Sequence, residues 1–290
     1  MAGIKEELPV ETTPSCFFSR HQFLILRLHS LSGLLPVGAY MVVHLLTNAT
    51  VLAGAATFQD QVDKIHALGP VLPLVEWTFI FLPLIFHAVV GVLIIRSGIS
   101  NTSSYRYVNN VRYTLQRATA WIALFFIFYH VFQMHGWFHN DWWRANVAGP
   151  LHGGQFNAEH ATSSAALALR SVVVQVFYVI GVLSCVFHLC NGLWTMGITW
   201  GVWTSPAAQR RATYVCAALG VVMAAISMGA LVGMTRANVE EAKAVEQVRL
   251  DEKEAVLKHE EEILKKLKAK SQETEKPGLA KKQQAGAERP

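Results

Sequence analysis

Four histidines sit inside apolar runs of this chain: His44, His87, His130 and His188. The run around His87, from Phe79 to Ile95, is broken only by the histidine itself, one proline and one glycine. An imidazole in hydrocarbon is costly unless something binds it, so each of the four is a candidate ligand. Two neutral imidazoles facing one another across a bundle are what a six-coordinate haem iron takes, one from each face. Zinc is the competing metal, and it gathers three or four ligands at a single point. The cysteines offer no alternative centre. Cys16, Cys185, Cys190 and Cys216 form no C-x-x-C pair, so a disulfide framework, an iron–sulfur site and covalent c-type haem attachment are all unsupported.

The elements that carry these histidines must be membrane helices. The 290 residues are 52% hydrophobic and only 16% charged, and the charge is uneven. Residues 1–235 hold 12 of the 25 Lys+Arg and 8 of the 20 Asp+Glu, while the last 55 residues hold 13 and 12. That is an all-α membrane protein of five spanning helices in a haem-binding bundle, with a charged tail. The expected organisation is a polar arm at 1–19, the membrane domain at 20–235, and a tail at 236–290 that is helical and then disordered. A span needs about 20 mostly apolar residues. The spans are expected at 20–53, 73–95, 112–137, 170–200 and 212–234. The connection at 54–72 reads as a loop or short amphipathic helix, and 97–111 as a polar loop. The stretch 138–168 reads as a membrane-surface loop with Trp142 and Trp143. A short turn holds Ser205-Pro206 and Arg210-Arg211.

The tail is dense in Glu and Lys, with i,i+4 pairs such as Glu254–Lys258, and its leucine repeat is spoiled by Lys253 and Glu260. It reads as a solvated helix rather than a partner-binding one, disordered from Gln272. No basic patch with interleaved aromatics points to nucleic acid.

Basic residues orient the bundle. With the N-terminus inside, nine Lys+Arg fall on inside segments (Lys5, Arg20, Arg27, Arg96, Arg106, Arg112, Arg117, Arg210 and Arg211) and three outside (Lys64, Arg144 and Arg170). The positive-inside bias therefore predicts a cytoplasmic N-terminus and a tail outside. Depth then sorts the histidines. His44 lies 17 residues beyond Arg27, and His130 13 beyond Arg117; that is roughly 25 and 20 Å along the helix, in the outer half. His87 lies nine residues before Arg96, and His188 18 past Arg170, in the inner half. An outer pair, His44 with His130, and an inner pair, His87 with His188, follow.

Glycines 33, 38, 91, 181 and 192 offer close approach for a flat ring. Arg27, Ser30, Arg112, Gln116 and Arg117 are candidates to hold haem propionates near the inner boundary. A quinone reacting at the outer edge needs a proton acceptor within reach, and Asp60, Asp63, His66 and Glu76 are the candidates there. His29, His135, His139, His152 and His160 read as interfacial or surface histidines.

Several stretches carry a family resemblance: Arg27-Leu-His-Ser-Leu-Ser-Gly-Leu-Leu-Pro-Val-Gly38, Val43-His-Leu45, Ile80-Phe-Leu-Pro-Leu-Ile-Phe-His-Ala-Val-Val-Gly-Val92, Leu115-Gln-Arg117, Tyr129-His-Val131, and Val186-Phe-His-Leu-Cys-Asn-Gly-Leu-Trp194. Through them the chain resembles the cytochrome b558-type, dihaem, five-helix membrane anchor of bacterial succinate dehydrogenase and quinol:fumarate reductase, over about residues 20–235. The resemblance implies two haem b groups, the same histidine pairing, and menaquinone as substrate. It implies flavoprotein and iron–sulfur subunits as partners in the bacterial inner (cytoplasmic) membrane, and leaves room for a homo-oligomer of the complex. Electrons would pass from the iron–sulfur subunit through the inner and then the outer haem to menaquinone, or the reverse for fumarate reduction. The charged tail lies outside the pattern. A dihaem quinone-reactive cytochrome b of a hydrogenase or formate dehydrogenase shares the physics but not these motifs.

Overall fold

The computed structural model describes residues 17–96 and 108–287. Most of the polar arm expected at 1–19, and most of the loop expected at 97–111, lie outside the described residues.

The described chain is all α-helical, and it is a membrane protein. Five helices are long and apolar enough to cross a bilayer: Arg20–Ala53, Gly69–Arg96, Asn110–His135, Val172–Thr199 and Pro206–Arg236. Many of their large apolar side chains face outward, Phe23, Phe79, Phe125, Val173 and Val221 among them, as a lipid-facing surface requires. The fifth span begins earlier than expected. Ser205 accepts from the Ala208 amide at 3.2 Å, and Pro206 opens the helix. Ser-Pro is a helix start, because serine caps a free N–H and proline lacks the one that would be wasted. Arg210 and Arg211 therefore lie in the span, not in a turn.

Two spans carry a widened, π-helical turn. Gly33–Gly38 contains Pro36, and Trp77–Phe81 directly precedes the turn holding Pro83. Proline removes an amide and crowds the preceding turn, and local widening relieves that clash. The third span stops at His135 because Gly136 takes φ +80, where its amide closes back on Val131 and Phe132.

The second span packs on the first half of the first. The fourth packs on the third and fifth, and the fifth closes on the second half of the first. Small residues set the closest approaches. A Cβ on Gly181 would overlap the Phe126 ring, so that ring lies directly against the Gly181 backbone where the third and fourth spans meet.

The connections at 54–68 and 137–171 share one end of the bundle, called here the loop end; Arg27, Arg96, Arg112 and Arg117 mark the arginine end. At the loop end Ala55–His66 is an amphipathic helix burying Phe58, Gln59 and Val62. Phe58 and Val62 join Val51, Ala161, Ala165, Leu169 and Met234 in one core. The tail departs from expectation in two ways. Its helix, Val239–Ala287, continues past Gln272 and through Pro277 and Gly278. Its first turns are docked rather than solvated: Ala242 is 3% exposed and Glu246 0%. The Glu246 carboxylate supplies the reason, since it accepts from the Thr162 and Ser163 amides and from the Ser163 hydroxyl.

Candidate functional site

His87 and His188 face one another with ring centroids 6.2 Å apart at 84°. His44 and His130 do the same at 5.8 Å and 75°. A metal held between two imidazoles, with bonds of about 2 Å on each side, puts the ring centroids roughly 6 Å apart. Both separations suit such an ion.

The second nitrogen of three of these rings is engaged. His87 Nδ1 lies 2.9 Å from the His29 carbonyl, and His188 Nδ1 3.2 Å from that of Gln116. A carbonyl only accepts, so Nδ1 carries the proton and Nε2 keeps the ligating lone pair. His130 reaches the same state through a relay. Gln133 donates its amide N–H to the Ala168 carbonyl at 2.8 Å, which turns its oxygen toward Tyr178. The Tyr178 hydroxyl donates to that oxygen at 2.8 Å, leaving its own oxygen to accept from His130 Nδ1 at 3.1 Å. Ligating histidines characteristically give their other N–H to an oxygen in this way.

A cavity of about 1680 Å³ opens beside the His87–His188 pair. All five side chains expected to hold propionates line it: Arg27, Ser30, Arg112, Gln116 and Arg117. They are anchored rather than loose. Arg112 donates to Asn191 Oδ1 at 2.9 Å and lies 3.7 Å over the Trp194 ring. Arg117 holds the Ile94 and Ile95 carbonyls at 2.8 and 2.9 Å. Arg27 donates to the Thr199 carbonyl and sits over Trp200, whose indole N–H reaches Ser30. Gly33 forms the floor beneath His87, where a Cβ would overlap the imidazole. This donor set fits haem: neutral rings with Nε2 free, an apolar wall, and cations at one end. The other pair is more enclosed. Phe126 stacks on His130 at 5.6 Å and 21°, and Tyr40 lies 5.5 Å from His44. No cluster of three or more His, Cys, Asp or Glu side chains suited to a metal ion occurs among the described residues.

Of the four polar residues expected at a quinone site, His66 and Glu76 line the same cavity, toward the loop end. Asp60 and Asp63 do not. Asp60 pairs with Arg249 at 2.8 Å and Asp63 with Lys253 at 3.5 Å, so the tail engages both. Their place beside His66 and Glu76 is taken by His135 and His139, which line the cavity with ring centroids 4.3 Å apart. Phe81 lies 5.7 Å from His135 and Trp77 5.3 Å from Phe81, giving this end aromatic walls. His29 is likewise no edge residue, for it stacks on His87 at 4.0 Å and 11°. The signal for it was present in the sequence, since His29 is four residues from Gly33 on one helix face. Tyr178 and Gln133 had only a faint one, a hydrogen-bonding group in an otherwise apolar run.

No family model matches the chain. It is, however, 36% identical over 210 residues to the succinate dehydrogenase cytochrome b558 subunit of Bacillus subtilis (strain 168), a match spanning 72% of this chain and 96% of that protein. That likeness over nearly the whole of the relative, together with five spans and paired intramembrane histidines, means that the chain belongs to the succinate dehydrogenase cytochrome b558 subunit family.

Proposed function

We propose that this chain is the membrane-anchor cytochrome b subunit of a succinate:quinone oxidoreductase, holding two haem b groups and a menaquinone site. His87 with His188 would hold one haem, and His44 with His130 the other. When bound, the two haems supply one-electron redox chemistry between an iron–sulfur subunit at the arginine end and menaquinone at the loop end. The direction serves succinate oxidation or fumarate reduction according to the soluble subunits. The positive-inside bias supports an arginine end in the cytoplasm and a tail outside. The observation that carries this reading is the presence of two facing imidazole pairs, three of whose rings have Nδ1 engaged.

The residues have distinct tasks. The His29 and Gln116 carbonyls hold His87 and His188 in the tautomer that presents Nε2. Tyr178 does so for His130. Arg27, Arg112 and Arg117 supply fixed positive charge where propionates would lie, with Ser30 and Gln116 as neutral donors. At the loop end the Glu76 carboxylate and His66 hold protons for the quinone oxygens. His66 Nδ1 is 2.9 Å from the Val62 carbonyl, which leaves Nε2 to exchange a proton. Trp77 and Phe81 exclude water from that end and give a flat quinone ring a surface to lie on.

The test is purification from haem-replete cells. A flavoprotein and an iron–sulfur subunit should co-purify, and the reduced-minus-oxidised spectrum should show two b-type haems. A haem-free preparation refutes the reading, and co-purifying nickel or molybdenum subunits would favour a hydrogenase or formate dehydrogenase cytochrome instead.

A further inference from the structure

The match to the Bacillus subtilis subunit covers 96% of that protein but 72% of this chain, and the charged tail is the part whose place in the molecule most needs an account. Its composition is that of a free, solvated helix. Three of its side chains nevertheless reach back to the bundle in register, at positions 246, 249 and 253 on one helix face. Glu246 is wholly buried and takes the first amides of the helix Ala161–Ala168: Thr162 at 2.6 Å, Ser163 at 3.1 Å, and the Ser163 hydroxyl at 2.6 Å. A carboxylate at a helix N-terminus meets both free donors and the positive end of the helix dipole. Arg249 and Lys253 grip Asp60 and Asp63 on the other connection, the helix Ala55–His66. Gln59 ties the same two connections together, donating to the Ala158 carbonyl at 2.6 Å and accepting from the Ala161 amide at 3.0 Å.

The helix gripped by Arg249 and Lys253 ends in His66, which lines the cavity beside Glu76. We infer that the start of the tail is an intramolecular strap that fixes both loop-end connections and so positions His66 at the quinone end of the cavity. Glu246, Arg249 and Lys253 are positioning residues, since none of them lines that cavity. The functional half of this inference rests on the proposed quinone site; the structural half does not.

The experiment uses the purified complex with full-length anchor, comparing wild type, Glu246→Ala, the single variants Arg249→Asp and Asp60→Arg, and the swapped pair. Hydrogen exchange reads the strap, and steady-state kinetics with a water-soluble naphthoquinone reads the site. Glu246→Ala should speed exchange at residues 162 and 163 by about tenfold or more, as expected for losing hydrogen bonds to a charged group. It should raise the quinone KM several-fold while kcat and haem content hold. Each single charge variant should loosen residues 55–66, and the swapped pair should restore them. Unchanged protection at 162 and 163 overturns the strap. Lost protection with an unchanged KM overturns its role at the site, provided His66→Ala raises KM. If His66→Ala and Glu76→Gln also leave KM unchanged, it is the quinone reading that fails, and the exchange data still decide the strap.

Discussion

Replacing Tyr178 with phenylalanine should impair one histidine pair and spare the other. The tyrosine is 5% exposed, and its hydroxyl serves two buried partners at once: it accepts from His130 and donates to Gln133, which is 2% exposed. Phenylalanine keeps the ring, and with it the edge-on packing against Phe126 at 5.2 Å. The substitution therefore isolates the oxygen. An orphaned buried donor or acceptor costs about 1–3 kcal/mol, and here there is one of each. Loss of a group that orients a metal ligand typically lowers metal affinity about 10–100-fold, which corresponds to about 1.4–2.8 kcal/mol. The assay is a potentiometric titration of the purified complex, followed at the haem α-band. Two waves are expected in wild type. In Tyr178→Phe the wave belonging to the His44–His130 site should shift or lose amplitude, and that of the His87–His188 site should not change. Identical waves and haem content in variant and wild type would refute the relay through Tyr178.

Three further outcomes follow from the same geometry. Gly33→Ala puts a methyl group into the His87 imidazole, so it should reduce haem at the His87–His188 site, read as haem per chain, while Gly91→Ala, whose added Cβ would meet only His29 at 3.4 Å, should be milder. Arg112→Leu removes the charge stacked on Trp194 and held by Asn191; it should lower the midpoint potential of the His87–His188 haem, since a lost cation favours the oxidised, more positive state. His66→Ala should raise the quinone KM with both haem spectra intact, and a changed spectrum would instead tie His66 to the haem environment.

The five spans were legible because a bilayer demands long apolar helices, and little else in the chain competes with that pattern. The two histidine pairs were legible for a related reason: alternating helix direction converts distance along the chain into depth. What the sequence could not show depends on contacts between distant segments. Tyr178 reaches His130 across 48 residues, and Glu246 reaches Ser163 across 83. Neither spacing leaves a periodic trace. Glu246 is the sharpest case, because a glutamate in a Glu- and Lys-rich helix is ordinarily solvated, and only the free amides of a helix start make its burial favourable. Asp60 and Asp63 illustrate the complementary case: the tail supplies them with basic partners, Arg249 and Lys253, that local sequence does not reveal. His29, His135 and His139 read as interfacial or surface histidines in sequence, yet the cavity extends far enough toward both ends to include them.

Haem stoichiometry and redox titration of the four single histidine-to-leucine variants in the assembled complex decide whether the histidines act as two pairs. Wild type should hold two haems per anchor chain, with His87→Leu and His188→Leu removing one and the same signal, and His44→Leu and His130→Leu removing the other. A single haem in wild type, or a signal lost jointly on changing His87 and His130, would contradict it.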